Sequence, residues 1–449
     1  MAPRRWGDSR PRFPEVTRTD TACGGADRRG MTFTTPQWLA AFSWRADRKV
    51  AGIVAAAVVG AGLLRTGLAL TERPLDFLVY RQAGQDVLDG LSPYRDTGGL
   101  PFTYPPVAAY LARVLALLPE GLGAAALTVA NLAAYALVVV LVARRLGMPR
   151  AHLFVWLGGG LALAPQARHL SLGQVNLLLM GLVVVDLLAL PTRGRGVLIG
   201  LAAAVKVVPG VFVLLLLIRG ERAAAARALG VAALLTGLTA LVDRDASALY
   251  FGRLPWDPVR VGGVTYPDNQ SLVGVLARIL ATNTPPTWAT LPVQVLALAL
   301  GSVAARRAQA AQDHVGALVC LALGALLASP VSWSHHWVWV VPAGMWLWVR
   351  AQHALTAALV APALVGPLTL AEAVHPWPWT GMPWPWPPWG QLACALLPLG
   401  ALAVLVARLR SEDGSEAGGI LGHLLGRVVG DPRPEETPQA VALGARDDV

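Results

Sequence analysis

The chain has 449 residues, 55% of them hydrophobic and 14% charged, and its mean hydropathy is positive. Soluble domains carry about 25% charged residues, so composition excludes a soluble globular fold and points to an integral membrane protein. The formal charge of +10 comes mostly from arginines in tails and in short loops beside apolar runs. That is the pattern of membrane-orientation signals, and no nucleic-acid partner is expected. The three cysteines (Cys23, Cys320, Cys394) are scattered and offer neither a disulfide framework nor metal-ligand spacing.

Apolar segments long enough to cross a bilayer core recur along the chain, and about ten to twelve membrane segments are expected, half-helices included. They are too long and continuous for barrel strands, so an all-α polytopic fold is expected. Residues 1–49 read as a basic, largely disordered cytoplasmic arm, with Met31 a candidate start and no cleavable signal. Residues 50–410 form one membrane domain, and 411–449 a disordered cytoplasmic tail.

The first apolar run, Val50–Leu70, ends at Thr71-Glu72-Arg73-Pro74-Leu75-Asp76. With the basic arm inside, this helix delivers Asp76 to the outer face. The apolar spacing of Phe77, Tyr80, Gly84, Val87 and Leu88 predicts an interfacial amphipathic helix ended by Gly90. Asp76 then reads either as its N-cap or as a general base. Ser92-Pro93-Tyr94 and Phe102-Thr103-Tyr104-Pro105-Pro106 read as interfacial anchors, whose rings also suit sugar faces.

Spans are expected at Leu122–Val142, His152–Leu163 and Gln174–Leu190. Val197–Ile218 could be one span, but Arg219, Arg222 and Arg227 would then lie outside. Pro209 sits near its middle, after Lys206, one of two lysines in the chain. Two half-helices that turn near Lys206–Pro209 and return keep the arginines inside. An ionisable residue within the membrane is by default functional, with snorkelling the alternative. Further spans are expected at Ala228–Leu241, Leu291–Ala305, Val315–Ala328, Trp337–Val349, Ala354–Leu370 and Gln391–Val406, with a long outer loop over 243–290.

Polar motifs thus collect on one face. Gln174 and Asn176, with Asp268-Asn269-Gln270, supply amides for sugar hydroxyls or for helix ends. His335 and His336 open a helix, where imidazoles can donate to a phosphate or simply sit in an aromatic belt. The Trp/Pro run at 375–389 reads as a rigid interfacial loop.

Taken in order, Asp76–Tyr80, Gly90–Tyr94, Phe102–Pro106, Gly173–Asn176 with Asp186, Gly200–Pro209, Asn269–Arg278 and Ser329–Trp339 resemble glycosyltransferase family 87. These are bacterial polyprenol-phosphate-mannose-dependent α-mannosyltransferases with a GT-C fold. The resemblance covers about residues 50–408. It implies Asp76 as catalytic base and Lys206, His335 and His336 at the donor phosphate. Tyr80, Tyr104, Gln174, Asn176, Asn269 and Gln270 are the implied substrate contacts. The implied partners are a polyprenyl-phosphate-mannose donor, a lipid-linked glycan acceptor and membrane lipids, with no cofactor. Many GT-C enzymes carry paired acids in the first outer loop. Here the corresponding Asp86 and Asp89 sit on the amphipathic helix, and no metal is expected. A lipid-linked sugar flippase is the rival reading, but it predicts matching broken helices in two repeats, and only one such segment is seen.

Overall fold

The computed structural model describes residues 48–374 and 388–410. The basic arm up to residue 47, the Trp/Pro loop at 375–387 and the tail after 410 lie outside the described residues. The elements are helices, and among the described residues the only strand-like pairing is an isolated bridge between Asn269 and Trp333. The chain is an all-α, multi-pass membrane protein.

Helix α1 (Arg48–Ala69) precedes α2 (Leu75–Leu88), the expected amphipathic helix, which Gly90 ends at φ +71°. A second short helix follows, α3 (Pro106–Ala116), where the sequence suggested only an anchor. Pro106 occupies its first turn, where the missing N–H costs nothing. Helices α2 and α3 lie so close that a Cβ on Gly84 would come within 2.4 Å of the Ala112 carbonyl oxygen. Only glycine permits that contact.

Helix α4 (Glu120–Arg145) leads to α5 (Arg150–Gly159) and a 3-10 turn at Gly160–Ala162. Then α6 (Ala164–Leu172) and α7 (Asn176–Leu188) meet at a 116° bend. After α8 (Val197–Val205) the backbone turns extended at Lys206, passes a 3-10 turn at Val208–Phe212, and resumes as α9 (Val213–Ile218). The two ends of this segment meet: Arg195 pairs with Glu221, Arg227 Nε donates to the Arg195 carbonyl (2.9 Å), and Arg219 reaches the Leu187 carbonyl (3.0 Å). The segment therefore begins and ends at one level with Lys206 at its tip, as expected from the arginines. Asp186 anchors the start of α8 by accepting from the backbone of Gly196, Leu198 and Ile199. A carboxylate satisfying otherwise orphaned helix donors suits a helix N-terminus.

The chain continues through α10 (Arg222–Val242), α11 (Arg244–Gly252) and α12 (Leu272–Ile279) to α13 (Thr287–Ala310) and α14 (His314–Ala328). A 3-10 stretch at Ser334–Trp339 opens α15 (Val340–Val349), followed by α16 (His353–Val365), α17 (Pro367–Val374) and α18 (Pro388–Arg410). Helices α13 and α14 touch backbone to backbone, since a Cβ on Gly301 would lie 2.6 Å from Gly324 Cα. Small residues at such crossings are the usual means of close helix packing in membranes. The core runs along α4, α7, α14 and α15, with Trp337 and Trp346 fully buried.

Among the described residues four helices (α4, α10, α13 and α18) are long and apolar enough to cross a bilayer, or five if the bent α6–α7 pair is one span. The other expected segments are helical too, but shorter or broken. The hairpin makes a prediction. In a cysteine-free background, R193C and R222C will be labelled by an impermeant thiol reagent from the same side of the membrane. Labelling from opposite sides would make 197–218 a through-going span.

Candidate active site

Asp76 lies in the first turn of α2, and the cap residue is Pro74, which makes no side-chain cap. The capping reading of Asp76 is therefore corrected, because its carboxylate is turned to another element. Gln174 Nε2 donates to Asp76 Oδ2 at 2.6 Å. What brings Gln174 there is the end of α6. Gly173 adopts φ +67°, and a Cβ on it would meet Phe77 Cβ at 2.7 Å and Pro74 Cβ at 3.1 Å. The loop thus presses on the start of α2, and Phe77 is fully buried beneath it. Asn131 of α4 holds the loop from below, donating to the Gln174 carbonyl at 2.8 Å. His169 Nε2 accepts from Leu177 N at 3.1 Å and steadies the start of α7.

From Gln174 the network continues without a gap. Its Oε1 accepts from the hydroxyls of Tyr80 (2.9 Å) and Tyr104 (3.0 Å), which are 2.9 Å from each other. The Tyr104 oxygen in turn accepts from Lys206 Nζ at 3.3 Å, and the ammonium also sits 5.0 Å above the Tyr104 ring centre. Lys206 Nζ donates to Asn176 Oδ1 at 2.8 Å and contacts His336 Nε2 at 3.4 Å. An ammonium has no acceptor, so that His336 nitrogen is the acceptor and Nδ1 is left as the ring's donor. Asn176 Nδ2 donates to the His335 carbonyl at 3.1 Å. Tyr94 supports the Tyr104 loop by donating to its carbonyl at 2.8 Å, and Arg260 does the same at the Phe102 carbonyl (3.0 Å).

Asp76, Tyr80, Tyr104, Gln174, Asn176, Lys206 and His336 are therefore one connected group. Three expected residues fall outside it. The His335 ring is buried edge-on to His336, with centroids 4.7 Å apart, and only its carbonyl joins the network. Asn269 spends its whole amide on the main chain. It accepts from Ser332 N (2.9 Å) and Ser271 N (3.2 Å) and donates to the Val264 (2.9 Å) and Pro330 (3.4 Å) carbonyls. In this conformation it staples two loops and leaves nothing for a hydroxyl. Gln270 donates to the Pro267 carbonyl at 2.6 Å beside it. The acids of α2 are also engaged, Asp86 with Arg95 and Gln82 (both 2.8 Å) and Asp89 with Gln85 (3.0 Å).

Burial holds the Asp76 carboxyl above the usual carboxylate range, while the Gln174 hydrogen bond and the charges of Lys206 and Arg168 pull the other way. Raised but still subject to these charges, it is a carboxylate suited to taking a proton. Lys206 and His336 also line a largely apolar pocket whose walls include Met180, Val183, Pro209, Phe212, Leu326 and Trp339. A cation lining an apolar pocket fits an anionic head on a hydrocarbon chain. Asn131, Arg168 and His169 were missed by sequence reasoning. Asn131 had a signal, since it is a polar side chain inside the apolar run Leu122–Val142.

The model of Glycosyltransferase family 87 matches residues 102–330. A Mycolicibacterium smegmatis protein named polyprenol-phosphate-mannose-dependent alpha-(1-2)-phosphatidylinositol mannoside mannosyltransferase is 36% identical, covering 69% of this chain and 80% of the relative. Its namesake from Mycobacterium tuberculosis is 33% identical over 63% of this chain and 72% of its own length. A second M. smegmatis protein, named as the corresponding phosphatidylinositol pentamannoside mannosyltransferase, is 32% identical, with 70% and 76% covered. No solved structure matches the chain.

The geometry at Gly173 is directly testable. G173A places a Cβ against Phe77 and Pro74 and forces a left-handed backbone on alanine, costing at least ~1 kcal/mol. Thermal unfolding in detergent will show the loss. An unchanged melting temperature would mean that the loop does not bear on α2.

Proposed function

The chain belongs to glycosyltransferase family 87, and from that premise we propose that it moves mannose from a polyprenyl-phosphate-mannose donor to a phosphatidylinositol mannoside-type acceptor. The site works at the extracytoplasmic face of the plasma membrane. One observation carries the reading: a single hydrogen-bonded path joins a carboxylate, Asp76, to an ammonium, Lys206, that lines a largely apolar pocket.

The donor's isoprenoid chain lies along the pocket and its phosphate meets Lys206. Asp76 takes the proton from an acceptor hydroxyl as that oxygen attacks the anomeric carbon. The new C–O bond forms as the bond from that carbon to the phosphate oxygen breaks. The electron pair leaves with polyprenyl phosphate, whose growing charge Lys206 balances. A single displacement inverts the anomeric centre, so a β-linked donor gives an α-linked product. His336, accepting from Lys206, keeps the ammonium aimed, and Gln174 and the two tyrosines hold the base and the cation apart. Tyr80 and Tyr104 are the rings nearest the transferred sugar.

Removing the base removes the proton acceptor. D76N is expected to lower transfer by about 10²–10⁴-fold in membranes supplied with labelled donor, the usual worth of general acid–base catalysis. Retention of substantial activity would rule out the assignment. K206A is expected to raise donor KM and lower kcat together, and unchanged values of both would remove its phosphate role.

The pH profile has a defined sign. Asp76 is competent only when ionised, and burial raises its pKa in the folded protein. The kcat/KM for transfer should therefore fall as pH drops, with a midpoint above the ordinary aspartate value of about 3.9. The acid limb should be absent from the residual activity of D76N.

A further inference from the structure

A second pocket is lined by charged and polar side chains as well as apolar ones. Its polar wall is made by Glu72, Arg168, Ser171, Asp268 and Ser334. Glu72 stands four residues before Asp76, and Arg168 pairs with it at 3.6 Å. Arg168 also lies close enough for its charge to act on the Asp76 carboxylate. Asp268 is 5% exposed, and its Oδ1 is buried without a hydrogen-bond partner. A buried carboxylate oxygen with no donor is a costly arrangement that a ligand hydroxyl would relieve.

The charges here are balanced, unlike at Lys206. The carboxylates Glu72 and Asp268 face the cations Arg168 and Arg65, and Arg65 is already committed to the Ala162 (2.6 Å) and Leu364 (2.7 Å) carbonyls. A phosphate would meet acids, whereas a polyhydroxyl ring can donate to carboxylates and accept from a guanidinium. The pocket is also edged with lipid-facing surface. Leu64 and Leu68 of α1 and Leu364 of α16 are all exposed, by 66%, 60% and 48%.

We infer that this pocket is the acceptor subsite, which takes the terminal saccharide of a glycolipid between Arg168, Glu72 and Asp268 with its acyl chains along Leu64 and Leu68. The inference rests on the transferase reading above. Arg168, which lines this pocket, also acts on the Asp76 carboxylate through its charge, and so ties the subsite to the base.

The test is a steady-state comparison of purified protein in detergent, with polyprenyl-phosphate-mannose as donor and a mannosylated phosphatidylinositol as acceptor probe. R168Q, E72Q and D268N are expected to raise acceptor KM tenfold or more while donor KM stays within twofold. E72Q keeps the test decisive if D268N fails to fold, because Glu72 is exposed. L68Q is expected to raise KM for the acylated probe and not for its deacylated glycan. Unchanged acceptor KM in E72Q and R168Q, or a rise in donor KM instead, overturns the subsite while leaving the transferase intact. A wild-type protein that transfers no mannose overturns both.

Discussion

A lysine ammonium within a membrane domain has to be given acceptors, and the architecture of this protein is arranged around doing so at Lys206. The helix that carries it stops at Val205, freeing the lysine backbone to turn extended and the side chain to reach Asn176 and Tyr104. Each of those acceptors has a second bond that fixes it, Asn176 to the His335 carbonyl and Tyr104 to Gln174. The elements that supply them (the Tyr104 loop, the α6–α7 bend and the 3-10 stretch before α15) are the irregular parts of the bundle. Non-helical backbone is tolerated at this depth only where it is covered by protein or lines a cavity, and here it does both.

Two glycines convert that arrangement into a rigid floor. Gly84 lets α3 lie directly on α2, and Gly173 lets the α6–α7 bend lie directly on the start of α2. The acid is thereby clamped on both sides of its helix, so that its 2.6 Å bond to Gln174 is a consequence of backbone contact more than of side-chain choice. Hydrogen bonds to charged groups are worth about 1.5–3 kcal/mol. The chain of them from Asp76 to Lys206 is therefore a substantial part of what holds the site in register.

Much of this was legible in the residues. Long apolar runs bounded by arginines give helices almost unaided, because lipid leaves the backbone no other partner. The hairpin at Lys206–Pro209 followed from charge and from the mid-run proline together, since a through-going helix would have put Arg219, Arg222 and Arg227 on the wrong side. What failed to show had physical reasons. Helix α6 carries Gln166, Arg168 and His169, so it has no apolar periodicity to betray it, and it is defined by contacts with distant residues. Helix α3 was hidden because Phe102–Pro106 reads as an interfacial anchor, whereas Pro106 opens a helix. Asn269 and Gln270 have the composition of a sugar site, yet an amide that can bind a hydroxyl can equally bind main chain. Only the fold decides which.

The return of the 197–218 segment carries a consequence for biogenesis. Its 22 residues (218 − 197 + 1) would span about 33 Å as one continuous helix at 1.5 Å per residue, enough to cross a bilayer. During insertion, hydropathy alone would read it as a crossing and invert every helix that follows. In the proposed orientation the basic residues flanking both of its ends (Arg193 and Arg195 before, Arg219 and Arg222 after) would stay together on the cytoplasmic side, where Glu221 pairs with Arg195. On that reading the arginines that bring the two ends of the segment together also set the membrane orientation of every helix after it.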